Sequence, residues 1–134
     1  MKTIYLCGGI KDISFENASE WRTQAIKKLP YNDTGFKFLN PMRRNFRDCE
    51  FQSQNEIIQL DKNDIIASDI LLVNATKPSW GTAMEILFAY ERNKIVVVFS
   101  GGNYVDVSPW VAYHATRVTR TMEEAITYIK KQFT

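Results

Sequence analysis

The sequence predicts a single α/β domain with a parallel sheet flanked by helices. Three observations carry that reading. Short apolar runs alternate with segments of helical period along the chain, the pattern of strand–helix–strand units. Two of those runs, Asp-Ile-Leu-Leu-Val-Asn at 69–74 and Ile-Val-Val-Val at 95–98, have apolar centres without alternation, as in strands covered on both faces. The chain has 134 residues, 45% of them hydrophobic and 24% charged, which suits one core and is too apolar for disorder.

The same composition excludes several classes of function. A formal net charge of +2 lacks the basic surplus of a protein that binds nucleic acid polymers. No apolar stretch approaches the ~20 residues of a membrane span. Met1–Gly9 is broken by glycine too early for a secretory signal. Cys7 and Cys49 form neither a C-x-x-C pair nor a metal spacing, and His114 is the only histidine. The expectation is therefore no metal, no cofactor, no membrane, and a reduced cytoplasmic compartment.

The elements follow in order. Thr3–Cys7 is a buried strand entering the glycine turn Gly8-Gly9. Ser14–Leu29 has helical spacing through Phe15, Ala18, Trp21, Ala25 and Leu29. Pro30 and Gly35 interrupt the chain before a second strand, Phe36–Leu39, which Asn40-Pro41 stops. An arginine-bearing loop runs from Met42 to about Glu50, and Ser53–Ala67 is the second helix. Strand 69–74 is followed by a loop over Lys77–Gly81 and a helix over Thr82–Arg92. Strand 94–99 leads into a loop over Ser100–Trp110. Val111–Val118 has no decisive period and fits a short helix followed by a strand. Thr121–Phe133 is the closing helix.

In such sheets ligands bind outside the carboxyl ends of the strands, near the point where strand order reverses. That rule selects the loops Cys7–Lys11, Asn40–Asp48, Asn74–Gly81 and Ser100–Trp110. No G-x-G-x-x-G or P-loop pattern is present, so Gly8 and Gly9 either let a small ligand approach or make the turn. Glu85 sits near a helix start at the ligand edge, where the helix dipole favours its anion and a carboxylate can act as a nucleophile. The competing reading is a capping box, Thr82-x-x-Glu85, a pattern repeated at Ser53-x-x-Glu56 and Thr121-x-x-Glu124.

Asp61, Asp64 and Asp69 cluster around the end of one helix and the start of a strand, and the dipole disfavours an aspartate at a helix end. That placement invites a functional explanation, unless Asp61 and Asp64 are solvated or paired with Lys62 or a loop arginine. Two carboxylates, one nucleophile and one acid, are what glycosidic cleavage uses. The forks of Arg43, Arg44 and Arg47 suit phosphate or carboxylate, unless the loop is simply solvated. Trp80 and Trp110 are candidates to stack on a base, whereas Trp21 is read as core and His114 as structural.

Taken together, four segments resemble the nucleoside 2-deoxyribosyltransferase family, which includes related 2′-deoxynucleoside 5′-monophosphate N-hydrolases. They are Ile4–Ile10, Asn40–Arg44, Asp61–Leu72 and Ala75–Ile86, and the resemblance extends from Ile4 to about Thr116. It implies a single flavodoxin-like or Rossmann-like domain over residues 1–134. It further implies that Glu85 attacks C1′ of a 2′-deoxynucleoside, giving a covalent deoxyribosyl ester as the base leaves, and that a second base then takes the sugar. Asp61 would carry the proton to and from the base. Tyr5 would hydrogen-bond the nucleophile and crowd the 2′ position.

The resemblance places Cys7, Gly8, Gly9, Arg43, Asp64, Ser79, Gly81, Asp106, Ser108 and Trp110 around the substrate. Many family transferases carry an aspartate for the sugar 5′-hydroxyl where this chain has Ser79. The N-hydrolases carry a serine there for a 5′-phosphate. Asp106 and Ser108 occupy the region that, in the family, reaches a neighbouring subunit's sugar site. Expected partners are deoxynucleosides or deoxynucleotides, free nucleobases and further copies of the chain, as a homodimer or larger homo-oligomer with shared sites. The alternatives are a deoxynucleoside monophosphate hydrolase and a non-catalytic nucleotide-binding module on the same fold.

Overall fold

The computed structural model describes residues 1–29, 35–102 and 107–134. Along the chain run β1 (Lys2–Gly8), α1 (Phe15–Lys28), β2 (Phe36–Leu39), a 3₁₀ turn (Pro41–Arg43), α2 (Gln54–Ala67), β3 (Ile70–Asn74), α3 (Trp80–Glu91), β4 (Ile95–Phe99), α4 (Pro109–His114), β5 (Arg117–Thr119) and α5 (Met122–Phe133). The five strands form one parallel sheet in the order β2-β1-β3-β4-β5, so strand order reverses between β1 and β3. This is the flavodoxin-like order, as the resemblance implies, on the parallel sheet that the alternation of elements predicts.

Strand alternation divides the core in two. Ile4 and Leu6 of β1 pack with Ala25 and Leu29 of α1 and with Ala125, Ile126 and Ile129 of α5. Tyr5 and Cys7 point the other way, into a cluster with Ile65 of α2 and Ile86 and Ala89 of α3. Ile70, Leu71, Leu72 and Val73 of β3 are all fully buried, as a strand between two helical layers requires. Each such side chain contributes about 1.5–3 kcal/mol of transfer free energy.

Some boundaries differ from those read in the sequence. Helix α3 starts at Trp80, because Ser79 is its N-cap and its Oγ accepts from the Thr82 N–H at 3.3 Å. Trp80 and Gly81 are therefore helical rather than part of a loop. Ser108 is likewise an N-cap, with Oγ accepting from Trp110 N at 3.2 Å, which puts Trp110 on α4. The segment without a decisive period resolves into α4 and β5. Of the other two capping patterns, Thr121 does cap α5 through Glu124 N at 3.1 Å, while Ser53 makes no side-chain cap bond. No helix among the described residues is long and apolar enough to cross a membrane.

Candidate active site

Three elements converge at the carboxyl ends of β1 and β3. The β1 strand sends Tyr5 and Cys7 through the α2/α3 face, α3 brings Glu85 down onto them, and α2 presents Asp61 and Asp64 from the side. Tyr5 Oη donates to Glu85 Oε2 at 2.5 Å. Cys7 Sγ lies 3.8 Å from Glu85 Oε1, a much weaker contact. One carboxylate oxygen is thus tightly held and the other is nearly free.

The capping reading of Glu85 fails on geometry. With Ser79 as N-cap, the third helical position belongs to Thr82, and Glu85 lies a turn further in, facing the sheet. There the helix dipole no longer decides its protonation. Burial pushes its carboxyl up to about 7, and the Asp61 charge adds to that. The Tyr5 hydrogen bond, the Arg22 guanidinium and the Cys7 contact pull the other way. The same enclosure drives the Tyr5 hydroxyl and the Cys7 thiol well above their ordinary values, with the Glu85 charge the next cause in each.

Asp61 and Asp64 take up the loop arginines. Arg43 Nη2 donates to both Asp64 oxygens at 2.9 Å. Arg44 Nη2 bridges Asp64 Oδ2 at 2.9 Å and Asp61 Oδ1 at 3.0 Å. These pairs account for carboxylates at a helix C-terminal end, and they occupy two of the three arginines considered for a phosphate. The third, Arg47, donates to the carbonyl of Ile13 at 2.5 Å. Burial raises the Asp61 carboxyl, with Arg44 opposing it. Asp69 stands apart from this group and accepts from the Thr3 N–H at 2.9 Å.

The glycines serve packing in different ways. A Cβ on Gly8 would stand 2.9 Å from Trp21 Cζ2 and 3.3 Å from Asn74 Cβ, so Gly8 makes room for protein. A Cβ on Gly9 would meet Ile13 Cδ1 at 2.7 Å, and Ser79 Cβ lies 3.6 Å away, bringing the β1 loop beside the start of α3. Neither has a positive φ. Gly81 faces open space. Trp80 and Trp110 are 86% and 73% exposed, so neither shields the carboxylates within the chain. His114 packs among Tyr90, Trp110 and Tyr113, and Trp21 packs edge-on against Phe99. Asp106 lies outside the described residues.

Arg22 escaped the sequence reading. It is completely buried under the end of β1 and donates to the carbonyls of Leu6, Gly8 and Ala18. A signal existed: Ala18, Arg22, Ala25 and Leu29 fall at the spacing of one helix face. A cavity of about 420 Å³ opens on that α1 side, lined in part by Gly9, Trp21, Gln24, Asn74 and Lys77. It does not include Tyr5, Asp61 or Glu85. The chemistry of those three residues, rather than the cavity's size, marks the candidate site.

Residues 4–108 match the family model described as Nucleoside 2-deoxyribosyltransferase. No curated protein matches the chain in sequence. Among solved structures, a conserved protein from Enterococcus faecalis V583 superposes with a TM-score of 0.72 at 19% identity, covering 98% of this chain and 99% of that one. A 2-deoxyribosyltransferase from Bacillus psychrosaccharolyticus gives 0.70 at 17% identity, covering 94% and 91%. The CMP N-glycosidase BcmB from Clostridium botulinum gives 0.63 at 16%, covering 97% and 98%. At these identities the solved structures share the fold.

Proposed function

The chain belongs to the nucleoside 2-deoxyribosyltransferase family, and from that premise we propose that it cleaves the N-glycosidic bond of 2′-deoxynucleosides and transfers the sugar to another base. One observation carries the reading: a carboxylate, Glu85, is gripped through Oε2 by a buried tyrosine while Oε1 is left nearly free. A second carboxyl, Asp61, lies close enough for its charge to act on the first.

In the proposed cycle Glu85 Oε1 attacks C1′ and forms an ester as the C1′–N bond breaks. The electron pair leaves with the base, which takes a proton from Asp61. A nitrogen of the incoming base then attacks C1′, expels the Glu85 carboxylate and returns its proton to Asp61. The two carboxyls interact, so the proton they hold belongs to the pair rather than to either residue alone. The Tyr5 bond favours the anionic nucleophile against the burial that opposes it.

Ser79 supports a second reading, a hydrolase of 2′-deoxynucleoside 5′-monophosphates. Its hydroxyl caps the twelve-residue helix α3 close to Gly9, at an end that favours anions. A neutral serine there accepts a phosphate where an aspartate repels it. The same family reading has each site completed by a second copy, through Ser108 and Asp106. The exposed Trp80, Met84, Trp110 and Tyr113 on α3 and α4 offer an apolar face for that contact.

The deciding experiment incubates the protein with deoxyinosine plus adenine, and separately with deoxynucleoside monophosphates, and identifies the products. Deoxyadenosine with hypoxanthine supports transfer. Free base with deoxyribose 5-phosphate supports hydrolysis. The absence of both counts against both enzymatic readings and favours the non-catalytic nucleotide-binding module.

A further inference from the structure

Arg22 is the only charged side chain among the described residues with no exposure at all. It takes part in none of the ion pairs they form. Its fork is instead spent on backbone: Nε donates to Leu6 O at 3.2 Å, Nη2 to Gly8 O at 3.0 Å and Nη1 to Ala18 O at 2.5 Å. The guanidinium also lies 4.7 Å from the centre of the Trp21 ring. Burying an ion without a counter-ion is costly, and an unpaired one invites a functional explanation.

The register of the sheet supplies that explanation. β2 ends opposite Tyr5, while β1 runs on to Gly8 beside β3. Beyond Tyr5 the strand has lost one neighbour, and there the Leu6 and Gly8 carbonyls receive Arg22. The side chains that alternate with them, Tyr5 and Cys7, are those that contact the two oxygens of Glu85. A cation on the α1 side therefore fixes the stretch of β1 that presents the site on the other face.

We propose that Arg22 is a positioning residue of the Glu85 site, standing in for the missing strand beside Leu6 and Gly8. The groups acting on Glu85 are Tyr5 and Cys7 from β1, Asp61 from α2 and Arg22 from α1. Of these, Asp61 favours the protonated form, while Tyr5, Arg22 and Cys7 favour the anion, and Arg22 is the one that does so as a cation. Gly8 belongs to the same device, since a Cβ there would stand 2.9 Å from Trp21 and 3.5 Å from the Arg22 fork.

The catalytic consequence rests on Glu85 being the nucleophile, so the test reads Glu85 directly. The protein is labelled with ¹³C in the glutamate carboxyls, the Glu85 resonance is assigned through Glu85→Gln, and wild type, Arg22→Gln and Arg22→Lys are titrated. The Glu85 midpoint should rise by on the order of 1 pH unit in Arg22→Gln and stay near wild type in Arg22→Lys, which keeps the charge. Glycosyl turnover should fall in both variants, because neither restores the fork on β1. An unmoved midpoint in folded Arg22→Gln overturns the proposal. Loss of the fold in both variants, seen by circular dichroism, also overturns it by assigning Arg22 to stability alone. A shifted midpoint in a protein without glycosyl chemistry upholds the link between Arg22 and Glu85 and sinks the assigned reaction instead.

Discussion

Replacing Glu85 by glutamine should stabilise the protein above neutral pH while removing its activity. An ordinary glutamate ionises near 4.5, whereas Glu85 is raised to about 7, chiefly by burial. A raised carboxyl means that the native state holds the proton more tightly than the unfolded chain. Its contribution to stability is complete below the unfolded value and is lost as pH rises through about 7. The gap between the two values corresponds to about 3 kcal/mol. Glutamine is neutral at every pH and keeps an oxygen for the Tyr5 hydroxyl. The variant should therefore match wild type near pH 4 and exceed it by about 3 kcal/mol at pH 8. For a domain of this size that is roughly 10 °C in Tm. Melting both proteins at pH 4, 6 and 8 measures it. A difference that does not change with pH refutes the buried-anion argument, and full glycosyl turnover by the folded variant refutes the role of Glu85.

Three further outcomes follow from the site. Asp61→Asn should keep the nucleophile and lose about 10²–10⁴-fold in rate, most for bases that leave poorly without a proton; a small uniform loss in steady-state rates across bases points to a positioning role. Ser79→Asp keeps a capping oxygen for α3, so stability should change little, while turnover of any 5′-monophosphate should drop relative to the nucleoside; an unchanged ratio removes Ser79 from the 5′ subsite. Mixing inactive Glu85→Ala with an inactive variant altered at both Asp106 and Ser108 should restore part of the activity once subunits exchange, and a mixture that stays inactive excludes a shared site.

The fold was legible because each level of the sequence agreed with the next. Unbroken apolar runs specify doubly covered strands, and helical periods between them leave a parallel sheet as the consistent solution. What the sequence misplaced was local. The capping-box pattern puts the helix start at Thr82, and the backbone shows that Ser79 holds it instead. That shift of three residues moves Glu85 from a solvent-facing capping position onto the sheet. Tyr5 and Cys7 could be placed on one face by alternation alone, but their reach to Glu85 spans 80 and 78 residues of chain. Arg22 was missed for a different reason: a charged residue on an apolar helix face is read as a boundary of the stripe. It is instead at its centre, where backbone carbonyls rather than a carboxylate receive it.

The arginines distinguish the two aspartates considered for the proposed proton-carrying role. By spacing, Asp61 and Asp64 are equivalent, one helical turn apart on α2. In the fold they are not. Asp64 accepts from Arg43 through both oxygens and from Arg44 through one, all at 2.9 Å. Asp61 shares only the Arg44 fork, at 3.0 Å through a single oxygen, and burial raises its carboxyl against that one partner. A carboxylate held by two guanidinium groups gives up its place as a proton acceptor, whereas one held by a shared guanidinium keeps an oxygen for a base. Asp61 is also the aspartate whose charge acts on Glu85. A proton passed from Asp61 to a leaving base leaves an anion that Arg44 already partners, so the transfer needs no new counter-charge. Asp64 contributes by holding Arg43 and Arg44 in the loop after β2, where Arg44 meets Asp61.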